Sequence, residues 1–457
     1  MVYHRVIILA KTLQEVSMKK FGLVVLSVLL LSLVFVSCQK QEAPAAAAAA
    51  APAAQAATNS NAPVKLSVWC WDPNFNVYAM KEAEKVYQKT NPNVSLDVQD
   101  ITSIEDKLIT ALSANDTSNL PDIILQQDNS IEKFVTNFPN AYLPLNGKVD
   151  LSKFAQFKLA VGTVNGKNYG VPFDNGATAF FLRSDFVEQA GLKAADFNDI
   201  TWDRFIELGK TVKAKINKSM IAYPAGGTDL ISLMLYSTGT WYFNDQGKPF
   251  IQGNAAIKEI INYYKTLLSS QVLLETPDWN GYIATLNNAT TVGTIQGCWI
   301  IGSITPAKDQ AGKWAMVNTP RMDRIATSKN YSSQGGSGWM VMSHTKNADV
   351  AFDFLNKVWA GSVEFYETIL PSSGAISTWL PAASSNIYSQ PQDFFGGQKI
   401  YSDLMDYASK IPQVKFGLYN YEARDAVAKA ALNVVRGANI DTEIANAQKE
   451  VEFLMNQ

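Results

Sequence analysis

The chain has 457 residues, of which 47% are hydrophobic and 18% are charged, and its formal net charge at pH 7 is −2. This composition excludes wholesale disorder, and the length predicts two domains. The balanced charge argues against a nucleic-acid partner, and the presence of only two histidines, His4 and His344, leaves little material for a histidine-ligated metal site or a histidine-based catalytic relay.

The first predicted element is an export leader over residues 1–37, whose start we place at Met18. A basic pair precedes an apolar stretch over residues 21–36, which is shorter than a segment that spans a bilayer. The run from Leu33 to Cys38 resembles a bacterial lipobox, in which the cysteine is acylated and becomes the new N-terminus. We therefore predict lipidation of Cys38, and the alternative is an ordinary cleaved signal peptide with an incidental cysteine.

Residues 38–63 follow as a predicted flexible tether, because residues 43–57 consist of alanine with two prolines and one glutamine and carry no apolar stripe to bury. No later segment reaches about 18 uninterrupted apolar residues, so no other span is expected. The sequence thus predicts an extracytoplasmic protein anchored to a bacterial membrane by its N-terminal lipid. We expect the anchor to lie in the periplasmic face of the inner membrane, and the outer membrane is the alternative location.

The folded part begins with alternating strands and helices. We predict strands over residues 64–71, 94–98 and 121–126, separated by one helix that ends before Asn91 and another that begins near Ile104. This order is typical of an α/β unit with a parallel sheet. In such sheets, ligands bind beyond the carboxyl ends of the strands, which here are followed by Asp72 and Asp128.

A second α/β series follows the segment 166–182, whose last part we predict to be a strand. Its predicted elements are helices near residues 203–216, 229–238 and 255–269 and a strand over residues 291–301. Cys70 and Cys298 both lie in strand-like stretches. In an exported protein they form either a disulfide or two buried thiols, and the sequence leaves both open.

Several short motifs, taken in order, resemble one family. They are Leu120-Pro121-Asp122, the segment 169–182, Thr201-Trp202-Asp203, the segment 239–256, Gly297-Cys298-Trp299, the segment 335–343, Ala351 to Leu355, and the closing helices over residues 423–452. From about residue 64 to residue 457, the chain is similar to family-1 extracellular solute-binding proteins of ABC importers, the group that contains the maltose-binding protein.

The resemblance implies an α/β, two-lobed periplasmic-binding-protein fold of type II, with hinge-connected lobes and a ligand cleft between them. We expect residues 64–172 with 303–357 in one lobe and residues 175–300 with 360–457 in the other. The implied function is a receptor that delivers a sugar or oligosaccharide to an ABC transporter permease. We expect a monomer without enzymatic activity, cofactor or metal.

A sugar ring has an apolar face and a rim of hydroxyl groups, so its binding site needs flat aromatic side chains together with polar groups. The candidate aromatic residues are Trp71, Trp241, Trp279, Trp299 and Tyr421. Trp299 is the first choice because it matches the family's Gly-x-Trp position, and core packing is the alternative for Trp71 and Trp299.

The candidate polar residues are Asp72, Asp128 and Asp174 as hydroxyl acceptors, Gly335 and Gly336 for close backbone approach, and Arg424 as a donor. The alternatives are helix capping or turn formation for the carboxylates, a plain turn for the glycines, and a surface salt bridge for Arg424.

Rival functions remain at this point. A non-sugar solute such as glycerol phosphate or a polyamine would suit the same family. A glycoside hydrolase would need two carboxylates flanking the scissile bond, which the candidate aspartates could supply in principle. An adhesin or structural surface lipoprotein would not need a hinge.

Overall fold

The computed structural model describes residues 62–456, which belong to one compact unit, Asn61–Gln457. The predicted leader and the predicted lipid site at Cys38 lie outside the described residues. Within residues 62–456, no helix is both long and apolar enough to cross a membrane.

Thirteen strands are present in the described part of the chain. They are β1 Val64–Cys70, β2 Val94–Asp100, β3 Ile123–Gln127, β4 Tyr142–Leu143, β5 Thr163–Val164, β6 Lys167–Asn168, β7 Val171–Asp174, β8 Thr178–Arg183, β9 Ile221–Pro224, β10 Leu273–Thr276, β11 Gly293–Gly297, β12 Trp314–Val317 and β13 Ser337–Met342.

The helices alternate with these strands over most of the chain. They are α1 Asn76–Gln88, α2 Ile104–Ser113, α3 Asp128–Asn137, α4 Gln156–Val161, α5 Ser184–Gln189, α6 Trp202–Ile216, α7 Thr228–Tyr236, α8 Ala255–Ser269, α9 Trp279–Asn287, α10 Ile301–Ile304, α11 Ala348–Val358, α12 Val363–Ser373, α13 Leu380–Ala383, α14 Ile400–Lys410, α15 Asn420–Val435 and α16 Ile440–Met455. The alternation confirms the predicted α/β fold class.

The first sheet has the strand order β2-β1-β3-β13-β4, and β7 also pairs with β13. β1 is parallel to both β2 and β3, as predicted, whereas β13 is antiparallel to its neighbours. Both faces are covered, because Leu66 and Val68 of β1 pack in a core with α1, α11 and α12, while Trp69 points into a core with α2 and α3. Burial on both faces explains the apolar runs of the two central strands, residues 123–125 of β3 and 339–342 of β13.

The second sheet has the antiparallel order β11-β8-β12. The side chains of β8 alternate between two cores: Phe180 and Leu182 pack with α6, α7 and α8, and Ala179 and Phe181 pack with α10 and α14. A period of two residues is the geometry of a strand with helices on both sides. β9 and β10 form a separate parallel pair.

Two segments do not follow the predicted lobe boundaries. β12 lies within residues 303–357, which were assigned to the first lobe, yet it pairs with β8 in the second sheet. α12 lies within residues 360–457, which were assigned to the second lobe, yet Phe365 and Ile369 pack in the same core as α1. An apolar pattern shows that a segment is buried but does not show against which sheet.

The predicted strand over residues 291–301 is shorter in the structure. β11 ends at Gly297, and the chain turns through a 3₁₀ segment, Cys298–Ile300, into α10. Trp299 therefore lies on a turn after the strand, not within it. Of the two alternatives for the cysteines, the structure shows free thiols, because Cys70 and Cys298 are both buried and unpaired in separate cores. Burial raises the pKa of each thiol to about 12, so both are inert.

Candidate functional site

A cavity of about 420 Å³ lies at the carboxyl ends of β1, β3 and β7, where the sequence predicted a ligand site. Its other wall comes from helices that pack on the second sheet, including α7, α9 and α15. The lining residues are Trp71, Asp72, Phe75, Gln127, Asn129, Asp174, Asp229, Ser232, Tyr236, Trp241, Trp279, Trp299, Ser333, Gln334, Gly335, Gly336, Ser337, Phe416, Asn420 and Arg424.

Asp72 and Asp174 supply carboxylates from the side of the first sheet. Asp72 follows β1, and its Oδ1 accepts hydrogen bonds from the backbone N–H groups of Asn74 (2.8 Å) and Phe75 (3.1 Å). Asp72 therefore both forms the turn before α1 and lines the cavity. Asp174 ends β7, is only 1% exposed, and accepts a hydrogen bond from the Ser337 hydroxyl at 3.0 Å. Burial raises the pKa of the Asp174 carboxyl, while the positive charge of Lys158 acts in the opposite direction.

Asp229 supplies a third carboxylate from the opposite wall, and the sequence reasoning missed it. It lies in the first turn of α7, where a helix N-terminus favours negative charge. The side-chain amide of Gln296 donates to Asp229 Oδ2 at 3.2 Å. Burial raises the pKa of this carboxyl, against the opposing hydrogen bond from Gln296 and the positive charge of Arg424.

Trp299 and Trp279 form an aromatic surface on one side of the cavity. Their ring centroids lie 5.6 Å apart with an interplanar angle of 40°, and Trp279 is 41% exposed. The Trp299 indole N–H donates to the Gln334 carbonyl at 3.0 Å, which fixes the plane of the ring. A Cβ atom at Gly297 would collide with this indole, so the glycine lets the ring fold back over the end of β11.

Trp241 contributes mainly as a wall of the cavity. It is 5% exposed, its indole N–H donates to Asn420 Oδ1 at 2.7 Å, and its ring lies 5.3 Å from that of Phe416 and 5.7 Å from that of Tyr236. These contacts hold the indole in one orientation and leave little of it exposed to the cavity.

Asp128 does not line this cavity, so the structure places it apart from Asp72 and Asp174, the other predicted hydroxyl acceptors. It lies behind Gly336 in an ion pair with Lys158, whose side chain is 2% exposed. Gly336 has φ +94°, and a Cβ atom at this position would lie 2.7 Å from Lys158 Nζ and would also collide with the Asp128 carboxylate. Burial raises the pKa of Asp128 to about 6, against the opposing charge of Lys158. Gly336 is therefore needed to seat this pair, a role beyond both the predicted close backbone approach and the alternative of a plain turn.

Arg424 lines the cavity, whereas Tyr421 does not. The Arg424 guanidinium lies 4.8 Å from the centre of the Tyr421 ring and donates to Asp425 Oδ1 at 2.8 Å. The Tyr421 hydroxyl contacts the side chains of Gln127 and Asn129, which do line the cavity. The two aromatic residues predicted together, Trp299 and Tyr421, thus have different environments.

Five of the eleven lining residues that the sequence reasoning missed lie directly beside residues that it chose. Gln127 and Asn129 line the cavity on either side of Asp128, because side chains alternate in direction where β3 passes into α3. Asn420 lies at the start of the helix that carries Arg424. Only Asp229 had an independent signal, an acidic residue in the first turn of a helix that follows two glycines.

The cavity combines four tryptophans, three carboxylates and several uncharged polar groups. Among the described residues that line it, Arg424 is the one cation. Such a set can stack on an apolar ring face and accept hydrogen bonds from hydroxyl groups, and it disfavours an anion. Residues 62–456 contain no cluster of three or more histidine, cysteine or acidic side chains that could hold a metal ion.

Residues 80–378 match a family described as bacterial extracellular solute-binding protein. The chain is 38% identical over 379 residues to a lactose-binding protein of Rhizobium radiobacter, which covers 82% of this chain and 90% of the relative. It is 22% identical over 344 residues to an arabinooligosaccharide-binding protein of Bacillus subtilis, which covers 72% of this chain and 73% of the relative.

Solved structures share the fold. An ABC transporter associated binding protein of B. animalis subsp. lactis in complex with β-1,6-galactobiose superposes with a TM-score of 0.70 at 20% identity, over 85% of this chain and 97% of that chain. The lacto-N-biose complex of a Bifidobacterium longum binding protein gives a TM-score of 0.71 at 19% identity, over 87% of this chain and 98% of that chain. These matches confirm the predicted two-lobed fold of type II.

Proposed function

Because the chain belongs to the bacterial extracellular solute-binding proteins, we propose that it is the carbohydrate receptor of an ABC importer. The observation that carries this proposal is the cavity itself, in which the paired indoles of Trp279 and Trp299 lie in one wall with carboxylates contributed from both sides. The 38% identical relative binds lactose by its name, which makes a disaccharide the first ligand to test.

Each part of the cavity has a role in this proposal. Trp299 and Trp279 stack on the apolar face of a sugar ring, and Trp71 contacts a ring from the opposite wall. Asp72, Asp174 and Asp229 accept hydrogen bonds from hydroxyl groups, and Arg424 donates to a ring or hydroxyl oxygen. Trp241, Gly335 and Gly336 shape the wall and allow backbone groups to approach.

We propose further that the two sheets and their helices form two lobes that close on the ligand. The residue assignment of these lobes follows the predicted ranges, with β12 moved to the second lobe and α12 to the first. A ligand that contacts Asp174 on one side and Asp229 on the other stabilises the closed state by its higher affinity for that state. The closed state is then the form that the membrane permease recognises.

A thermal-shift screen tests the ligand class. The panel contains lactose, galactobiose, an arabinotriose and maltose, together with glycerol 3-phosphate and spermidine as non-sugar solutes. Binding to the folded state raises the apparent stability, by about 2.7 kcal/mol when the ligand is at 100 times its dissociation constant. A shift with a sugar and none with the other two supports the proposal. A shift with spermidine alone would assign the carboxylates to a cationic ligand and refute the sugar assignment.

The same screen separates a receptor from a glycoside hydrolase. We propose that the protein binds its sugar without cleaving it, so prolonged incubation with the sugar that gives the largest shift leaves the sugar intact. Chromatography of the mixture is the measurement. Release of monosaccharides at a rate above that of a buffer control would refute the receptor assignment.

The remaining proposals concern location. Members of this family are extracellular proteins, so we place the folded part outside the cytoplasm. We propose that the lipid on Cys38 anchors it to the membrane and that the alanine-rich segment 43–57 spaces it from the bilayer. We also propose that the protein acts as a monomer and that the permease is its protein partner.

A further inference from the structure

A buried ion pair reaches the wall of the cavity at Gly336. Lys158 of α4 donates to Asp128 Oδ2 at the start of α3, and both side chains are almost fully buried. Gly336 lines the cavity, and a Cβ atom at this glycine would lie 2.7 Å from Lys158 Nζ. The ammonium group therefore lies against the backbone of a residue that faces the ligand.

Asp174 belongs to the same part of the wall. In the pairing of β7 with β13, Asp174 is opposite Ser337, the residue after Gly336, and the Ser337 hydroxyl donates to Asp174 Oδ1 at 3.0 Å. Asp174 lines the cavity and is 1% exposed. A carboxylate that is buried so deeply loses its hydration, which disfavours the charged form. It needs a positive charge nearby to stay ionised.

Lys158 supplies that charge to both carboxyl groups. Burial raises the pKa of Asp128 to about 6 and also raises the pKa of Asp174, and in each case the charge of Lys158 is the largest opposing cause. The negative charge of Asp174 raises the pKa of Asp128 further, as a like charge does. One ammonium group thus serves two buried carboxyl groups, one of which faces the ligand.

We propose that Lys158 is a positioning residue for sugar binding, whose charge keeps Asp174 in the carboxylate form that accepts hydrogen bonds from hydroxyl groups. This inference rests on the proposed function. Lys158 is not among the described residues that line the cavity, so it acts through Asp174 and not on the sugar. A carboxylate accepts stronger hydrogen bonds than a neutral carboxyl group. Sugar affinity therefore falls as acid protonates Asp174, and Lys158 sets the pH at which this happens.

Other titratable or charged groups surround Asp174 and Asp128. They are Asp72 after β1, Asp229 and Tyr236 of α7, Arg424 of α15, Cys298 of the 3₁₀ segment, and Glu132 and Lys415 beside a separate cavity that Asp128 lines. Burial raises the pKa of the Cys298 thiol and of the Tyr236 hydroxyl, so both stay neutral in acid. Burial also raises the pKa of Asp229, which adds an acid titration that all variants of Lys158 and Asp128 share.

Calorimetry of sugar binding between pH values of about 4 and about 8 tests the proposal. The ligand is lactose, or the sugar with the largest thermal shift if lactose gives none. The proteins are the wild type, Lys158→Met, Asp128→Asn and the double variant Lys158→Met/Asp128→Asn. Lys158→Met removes the charge that favours the carboxylate, so we expect the midpoint of the pH dependence to rise by about one unit or more.

Asp128→Asn is the matched control, because it breaks the same ion pair but keeps the ammonium group. We expect a midpoint no higher than that of the wild type, since the charge of Lys158 then acts on Asp174 alone. The double variant keeps the test decisive if Lys158→Met does not fold, because it leaves neither member of the pair as an unpaired buried charge. Its midpoint should exceed that of Asp128→Asn by about one unit or more.

A second titration follows Asp174 without any sugar. NMR of isotope-labelled aspartate carboxyl groups in the ligand-free proteins measures the midpoint of Asp174 directly, and Asp174→Asn assigns its signal. We expect the midpoints to follow the same order as in calorimetry.

The outcomes separate the charge of Lys158 from a purely structural role of the ion pair. Equal midpoints in all of the proteins, or a rise in Asp128→Asn as large as that in Lys158→Met, would overturn the proposal while leaving the receptor function intact. Wild-type protein that binds no sugar at any pH would overturn the receptor function, and the NMR midpoints would still show whether Lys158 controls the ionisation of Asp174.

Discussion

Replacement of Trp299 by alanine removes the side chain that we place against the sugar ring. The indole is held by its hydrogen bond to the Gln334 carbonyl and by Trp279 at 5.6 Å, so it presents a fixed face without reorganisation. Burial of about 60–100 Å² of that face, at about 25 cal/mol per Å², contributes about 1.5–2.5 kcal/mol. We expect the dissociation constant for the identified sugar to rise roughly 10-fold to 70-fold.

Calorimetry on purified Trp299→Ala measures this change, with circular dichroism to establish that the variant is folded. Trp299→Phe is the matched control, because it keeps a flat ring but loses the N–H that donates to Gln334. We expect it to lose less affinity than Trp299→Ala. A folded Trp299→Ala variant with unchanged affinity would show that the indole only packs against Trp279, and the stacking assignment would then be wrong.

Three further predictions concern stability and location. Gly336→Ala should lower the free energy of unfolding by about 1–3 kcal/mol more than Gly147→Ala in urea titrations, because both glycines have positive φ but only at Gly336 does the new Cβ collide with Lys158 and Asp128; equal losses would contradict the clash. The raised pKa of Asp128 means that the folded state binds the proton more tightly, so the free energy of unfolding should fall as the pH rises from about 4 to about 6. Asp128→Asn should make this dependence smaller, leaving the contribution of the raised pKa values of Asp174 and Asp229, and an unchanged slope would assign it to other groups. Cys38→Ala should move the protein from the membrane fraction to the soluble fraction of its host, and persistent membrane association would refute the lipid anchor.

The elements of the fold were largely predictable because their signals are local. β3 is a short apolar run bounded by turn residues, and β1 begins by alternating apolar and polar residues. α6 and α8 have apolar residues at helical spacing with capping residues at Thr201 and Asn254. The predicted bounds of these elements agree with the structure within about two residues. The strand predicted over residues 291–301 was too long, because its apolar pattern continues through a 3₁₀ turn into α10.

The candidate site was only partly predictable. Strand ends pointed to Trp71, Asp72 and Asp174, since parallel strands bring their carboxyl ends to one edge. At such an end, a shift of one residue along the chain changes whether a side chain faces the cavity. Gln127 and Asn129 line the cavity, whereas Asp128 between them forms an ion pair with Lys158 instead. Tyr421 was chosen as a stacking residue, but it turns toward the opposite side of the fold.

The amino-acid sequence by itself determined the order of helices and strands, the α/β class, the aromatic and acidic character of the site and the family. These properties depend on local spacing and composition, which a single chain displays directly. Only the tertiary structure decided that β12 joins β8, that Asp229 faces the same cavity as Asp174, and that the Tyr421 hydroxyl contacts Gln127 and Asn129. Each of these depends on contacts between residues far apart in the chain, because the geometry that brings them together is set by how the whole fold packs.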